Sequence, residues 1–236
     1  MIIYPAIDLK GGKCVRLKQG LKNEETVYDN DPASVAIKWQ NQGAKYLHVI
    51  DLDGAFEGKP LNVSTIEHIL LDVVIPIQVG GGIRDGKTME EYFSMGVSRL
   101  IIGTKAIESP EFLEEIVKEF KERIIIGIDA KDGYASTHGW VSASNIKATD
   151  LALDVQKMGA YQIIYTDISR DGMLKGPNYQ AMEEMVNAVD MPVIASGGIS
   201  SKEDVKKLSL LEGKGLVGAI IGKALYTGDI QLQDII

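Results

Sequence analysis

A chain of 236 residues, 45% hydrophobic and 25% charged, has the apolar material for a large core and is not a disordered segment. Its formal net charge of −8, with no Lys/Arg cluster to form a basic stripe, argues against nucleic acid as a partner. No apolar run reaches the roughly 18 residues of a membrane span, and the single cysteine, Cys14, excludes an internal disulfide or a cysteine-cluster metal site.

Along the chain, short β-rich runs alternate with amphipathic stretches about eight times. The N-terminus, MIIYPAID, has neither a basic flank nor a small-residue cleavage site, so no signal peptide and a cytoplasmic location are expected. The first strand, residues 2–7, stops at Asp8, Lys10 and a Gly pair. Asp31-Pro32 then opens a helical stretch that Gly43 closes. After a strand over 46–50, Asn62 opens VSTIEHIL; strands over 76–79 and 100–102 run into Gly81-Gly82 and Gly103-Thr104. Ser109-Pro110 precedes EFLEEIVKEF, with Ser as N-cap and Pro in the first turn, where its missing N–H costs nothing. At the midpoint, IIIGIDAKDG gives a strand over 124–128, buried on both faces, that stops at Asp129. A strand over 162–166 follows the helix-closing Gly159 and ends at Thr166; strands over 192–195 and 216–221 run into Ser196-Gly197-Gly198 and Gly222-Lys223. The terminal DIQLQDII is expected to complete the last helix. Segments 10–31 and 131–147 are long enough to serve as lids.

This alternation implies a parallel sheet with right-handed crossovers. Eight units in 236 residues match a closed (β/α)8 barrel; the rival, a doubly wound open sheet, usually has five or six strands. An internal repeat favours closure. Asp8 to Asp129 is a step of 129 − 8 = 121, Asp51 to Asp167 and Gly82 to Gly198 are steps of 116, and Gly103 to Gly222 is a step of 119. The expected fold is therefore α/β, a single (β/α)8 TIM barrel built from two (β/α)4 half-barrels at about 1–121 and 122–236, forming one domain.

Barrels frequently bind phosphate at the loops after strands seven and eight, where Gly lets the backbone approach and N–H groups point outward. Gly197, Gly198, Gly222 and Lys223 stand there, and Gly82, Gly103 and Thr104 stand at the matching loops of the other half. The plain alternative is that these glycines only make tight turns. Cradles on opposite rims ask for an elongated ligand with a phosphate at each end. Between them, Asp8 and Asp129 end strands one and five and face each other across the barrel mouth, where one can donate a proton and the other accept it. The alternative for each is a cap, or pairing with Lys10 or Lys131. The three histidines show no metal-ligand spacing. Thr166 can donate to a substrate or a neighbouring carboxylate. Trp140, in the polar run THGW, can stack on a flat ring or pack a lid. Arg84 suits a phosphate contact or a surface ion pair, and His48 a pocket or a hydrogen-bonded strand position.

PAIDLKGGKCVRL, LHVIDLDGAFEGKPLN, QVGGGIR, GIDAKDG with HGW downstream, YTDISRDGMLKGPN and ASGGIS together resemble the HisA family of histidine biosynthesis, the phosphoribosylformimino-aminoimidazole carboxamide ribotide (ProFAR) isomerases, over residues 2 to about 226. The resemblance implies a cofactor-free Amadori rearrangement of an aminoaldose to an aminoketose on a bisphosphate. It makes Asp8 the base at C2, Asp129 the acid at the ring oxygen and Thr166 its helper. Trp140 would stack on the aminoimidazole, and His48 and Arg84 would line the pocket. Gly82, Gly103 and Thr104 would hold one phosphate; Gly176, Gly197, Gly198, Gly222 and Lys223 would hold the other. No metal, membrane or nucleic-acid partner is implied, and a monomer is expected. The alternatives are an isomerase that also takes phosphoribosylanthranilate, the cyclase subunit of imidazole glycerol phosphate synthase, which needs ammonia and a glutaminase partner, and a catalytically silent bisphosphate-binding barrel.

Overall fold

The computed structural model describes the backbone of residues 1–18, 21–137 and 142–236, and their side chains except at 18, 21–23, 137 and 142–144. The first half of the chain gives β1 (Ile2–Lys10), β2 (Lys13–Lys18), β3 (Leu21–Asp29), α1 (Pro32–Asn41), β4 (Leu47–Asp51), α2 (Leu52–Glu57), α3 (Val63–Asp72), β5 (Ile77–Gly80), α4 (Gly86–Ser94), β6 (Arg99–Ile102), α5 (Thr104–Glu108) and α6 (Pro110–Phe120). The second gives β7 (Ile124–Lys131), β8 (Tyr134–Thr137), β9 (Ser142–Lys147), α7 (Ala148–Lys157), β10 (Ile163–Asp167), α8 (Tyr179–Ala188), β11 (Val193–Ser196), α9 (Lys202–Ser209), β12 (Leu216–Ile221) and α10 (Lys223–Thr227). Among the described residues, β1, β4, β5, β6, β7, β10, β11 and β12 pair in parallel in that order. The β10–β7 and β12–β1 pairings close them into a (β/α)8 barrel. No helix among them is long and apolar enough to cross a membrane.

The eight barrel strands fall within a residue or two of their expected positions, with two informative exceptions. β1 and β7 run on to Lys10 and Lys131 because each pairs antiparallel with the strand that follows it, β2 and β8. Within segments 10–31 and 131–147, expected as lid loops, the described residues form antiparallel strand pairs standing on the barrel rim, β2–β3 on β1 and β8–β9 on β7. The expected final helix is a correction. α10 ends at Thr227 because Gly228 takes a left-handed φ of 81°, and DIQLQDII continues through a bend at residues 229–230 and a 3-10 turn at Leu232–Asp234, with Ile230 and Leu232 buried.

Helix starts follow the sequence, with two differences in detail. Asp31 caps α1 by accepting from the N–H groups of Ala33 and Ser34. Ser109 stands at the N-cap of α6 without a side-chain cap bond, and the Asn62 side chain turns away from α3 to serve the barrel rim. Gly43 and Gly159 take φ values of 99° and 97° just after α1 and α7.

Alternation along each strand divides the core into two. Ile3, Ile7 and Leu9 of β1 face the helices, while Tyr4 and Ala6 face the barrel axis with Ile125, Ile164, Ile194 and Ile220. Tyr4 and Tyr46 pack with ring centroids 5.4 Å apart, and Arg99 lies over Tyr46 and donates to Gln162 Oε1 at 3.2 Å. This layer fills the N-terminal end of the barrel and leaves the opposite mouth for a site.

Candidate active site

Continuing the same alternation, β1 brings Asp8 to the mouth two residues beyond Ala6, and β7 brings Asp129 there two residues beyond Gly127. Both carboxylates line one cavity of about 230 Å³ at the C-terminal ends of the strands. Thr166, in register with Asp129, and His48 line it too, as do Gly82, Arg84, Gly103 and Thr104. The residues read from sequence on opposite sides of the barrel therefore share one chamber, and the rim after β5 and β6 opens into it.

Two residues that the sequence reading did not assign join them. Arg16 comes off β2, where the hairpin register sets its neighbour Val15 opposite Asp8. Its Nη1 donates to Asp8 Oδ2 at 2.7 Å, and Nη2 lies 3.7 Å from Asp171 Oδ1. Burial pushes Asp8 up to about 6 although Arg16 pulls the other way and Asp171 adds to the rise. Burial raises Asp171 as well, against the opposing pull of Arg16. Burial also opposes the charge of Arg16, but the two carboxylates outweigh it and hold the guanidinium above its ordinary value. The sequence carried a signal for Arg16: one cation in the apolar run CVRL, beyond a Gly-Gly turn from Asp8, is placed beside it if the run folds back as a hairpin. Asp171 lies in the RDG run, whose loop path from β10 has no periodicity to read.

His48 is pushed down to about 3, first by burial and then by Arg16, so its imidazole is neutral in the chamber; the Gln78 amide meets Nδ1 at 2.9 Å. Arg84 sits at the exposed edge, its guanidinium against Gly58, where a Cβ would come within 2.8 Å. Trp140 lies outside the described residues.

The glycine loops separate into two kinds. A Cβ at Gly81 would strike the backbone oxygen of Asp51, and one at Gly197 would come within 2.6 Å of that of Asp167. At Gly82 and Gly198 a Cβ would meet the carbonyls of Lys59 and Gly54, or of Gly176, at 2.6–2.8 Å, and all four glycines have positive φ. Close packing of neighbouring loops already requires glycine there, Gly176 supplying the facing carbonyl. Gly103 is different. Its φ of −102° is not left-handed, and a Cβ would meet only Gly127 O at 3.8 Å, so its bare backbone faces the chamber. Gly222, its counterpart in the repeat, has a φ of −106°, and its open side is covered by the guanidinium of Arg16. Gly176, Gly197, Gly198, Gly222 and Lys223 do not line the chamber; Lys223 Nζ donates to Gly172 O at 2.9 Å.

A chamber with two facing carboxylates, one with its proton affinity raised toward neutrality, can move protons on a bound molecule. Comparison with known proteins narrows the family. The profile of the histidine biosynthesis protein family matches residues 2–231. The chain belongs to that family. Within it, the chain is 52% identical over 236 residues to a Pelobacter propionicus protein named 1-(5-phosphoribosyl)-5-((5-phosphoribosylamino)methylideneamino) imidazole-4-carboxamide isomerase, covering all of this chain and 96% of that one. Family members of the same name from Cyanothece sp. (52%, 92% of its length) and Heliobacterium modesticaldum (50%, 96%) also align with the entire chain.

Proposed function

We propose that this protein isomerises the bisphosphate ProFAR from its aminoaldose to its aminoketose form in histidine biosynthesis, with Asp8 as base and Asp129 as acid. The observation that carries the reading is the placement of these two carboxylates at the ends of β1 and β7, on one chamber, with Asp8 raised to about 6. A base with a proton affinity near the working pH takes a proton and returns it efficiently. The shared name of full-length relatives at 50–52% identity supports the substrate.

Mechanism follows from proton positions. Asp129 protonates the ring oxygen of the aminoaldose while the amine lone pair forms C1=N, breaking the C1–O bond and opening the ribose. Asp8 removes the proton from C2, whose electron pair forms C1=C2 and returns the C1=N electrons to nitrogen. The resulting enol loses its hydroxyl proton and gains one at C1, giving the ketone at C2. Product and substrate are isomers, so no oxidant or co-substrate is consumed. Thr166, beside Asp129 in the parallel register, orients the acid or the opened sugar. One phosphate is assigned to the turn at Gly103-Thr104, whose bare backbone faces the chamber; the other is assigned to the turn at Gly222-Lys223. The barrel is proposed to work as a cytoplasmic monomer with no cofactor.

The test is turnover of the aminoaldose followed by absorbance, with and without ammonia. Asp8→Asn or Asp129→Asn is expected to lower kcat by about 10²–10⁴-fold with bisphosphate binding retained. Near-wild-type turnover in either variant rejects the roles, and a requirement for ammonia identifies the cyclase instead.

A further inference from the structure

The internal repeat sets Gly103 and Gly222 in equivalent turns, after β6 and after β12. In front of Gly103 there is chamber; in front of Gly222 there is Arg16. Arg16 is 9% exposed; its guanidinium bridges toward Asp8 and Asp171 and leaves Nε–H buried with no partner among the described residues. A buried donor left unpaired is costly and is usually spoken for by a ligand or by mechanism. Here the donor belongs to a cation that touches both the proposed base, Asp8, and the Gly222 turn.

We infer that Arg16 is a positioning residue shared between Asp8 and the phosphate at the turn between β12 and α10, so that arrival of the phosphate changes the charge that Asp8 experiences. The inference rests on the functional reading above for the place of the phosphate. A phosphate dianion at Gly222-Lys223 offers the guanidinium a stronger acceptor, and the planar fork can serve two oxygens on one side while keeping Asp8 on the other. Whatever share of the cation's field moves to the phosphate is lost to Asp8. The base then strengthens when substrate is seated and rests as a weaker, paired carboxylate when it is not.

The other groups around Asp8 leave this role to Arg16. From β2, burial pushes the Cys14 thiol up to about 12; from β4, His48 is neutral; from α10, Tyr226 donates to Ala6 O at 3.0 Å with its own ionisation raised by burial. Near neutral pH the charged or chargeable groups on this side of the chamber include Asp171 beyond β10 and Lys223, which is already committed to Gly172 O; Asp129, Arg84 and Lys105 also line the chamber.

The experiment is NMR titration of the Asp8 carboxyl in full-length, carboxyl-labelled protein, assigned with Asp8→Asn. Wild type, Arg16→Met and Arg16→Lys are each measured with and without saturating inorganic phosphate at matched ionic strength. Wild-type Asp8 is expected to titrate higher with phosphate bound. Arg16→Met is expected to start about one pH unit higher and respond less, since one unit corresponds to a modest loss of charge stabilisation. Arg16→Lys keeps the charge, restores most of the resting value, and loses part of the phosphate response because an ammonium lacks the fork. An Asp8 titration in wild type that does not move with phosphate, or an Arg16→Met protein that behaves as wild type in both states, overturns the inference. Should Arg16→Met fail to fold, the wild-type pair of titrations decides alone. Failure of the isomerase reading is seen separately, as retained turnover in Asp8→Asn.

Discussion

Asp8 owes its chemistry to two opposed forces that meet at one oxygen. Burial raises its proton affinity, the 2.7 Å contact with Arg16 lowers it, and burial wins, leaving a value of about 6. A group whose folded pKa is raised holds its proton until the pH passes that value. On the proposed role of Asp8, the base is off below about pH 6 and on above it, and the kcat/KM profile of the isomerisation is expected to fall on the acid side with a midpoint near that value. A flat profile from about pH 5 to 8 would remove Asp8 as the base. His48 is the natural suspect for any limb in that range, and the structure excludes it. With its imidazole held down to about 3, its ring resonances are expected not to titrate between about pH 5 and 8, which a proton–nitrogen correlation spectrum checks directly.

At the scale of elements, the same device recurs on opposite sides of the ring. Asp51, fully buried at the end of β4, accepts from Gly54 N, Leu61 N, Asn62 N and Asn62 Nδ2 at 2.7–2.9 Å. Asp167, at the end of β10, accepts from Ser169 N at 2.9 Å and Asn178 Nδ2 at 2.8 Å. Each carboxylate ties its loop to its strand, and each has the glycine just past the end of the next barrel strand, Gly81 or Gly197, pressed on its own backbone. The first latch reaches further: Asn62 Oδ1 accepts from Gly12 N at 2.9 Å and Asp53 from Gly11 N at 2.6 Å, pinning the β1–β2 turn just beyond Asp8. Removing one such bond to a charged group costs about 1.5–3 kcal/mol, so Asn178→Ala is expected to lower Tm by roughly 3–12 °C for a chain of this size. Gly81→Ala combines a strained φ of 105° with a backbone collision and is expected to be worse. Calorimetry that finds either variant as stable as wild type would show that the latches carry no load.

Over the molecule as a whole, closure is what makes the parts a site. The seams between halves are β6 against β7 and β12 against β1, three and four residue pairs respectively. A half-barrel alone would expose both of its outer strands as unpaired edges, a template for association. Expressed separately, segments 1–121 and 122–236 are expected to self-associate or precipitate, and when refolded together to give one particle of barrel mass that turns over substrate. Stable, monomeric single halves in ultracentrifugation would contradict this. If the ligand is the proposed bisphosphate, the overall charge of −8 opposes it and capture has to be local, at groups such as Arg16, Arg84 and the exposed backbone at Gly103, which line the chamber.

Much of this was written in the linear order of residues. Parallel strands buried on both faces have dense apolar runs with abrupt ends, so the eight barrel strands could be read from Ile, Val and Gly spacing, and the doubled pattern set Asp8 opposite Asp129. Residue types alone could not say which glycines serve packing and which face open space, because that depends on what stands 2–4 Å in front of each: Gly81 and Gly103 both follow a barrel strand, yet a Cβ at Gly81 would strike Asp51 and one at Gly103 would meet only Gly127 O at 3.8 Å. Nor could they place Arg16 and Asp171, whose approach to Asp8 is made by a hairpin fold-back and a loop path, contacts between elements that no local periodicity encodes. Secondary structure follows from neighbours along the backbone, but the charge felt by a buried carboxylate is a sum over neighbours in three dimensions, and only the closed barrel assembles those.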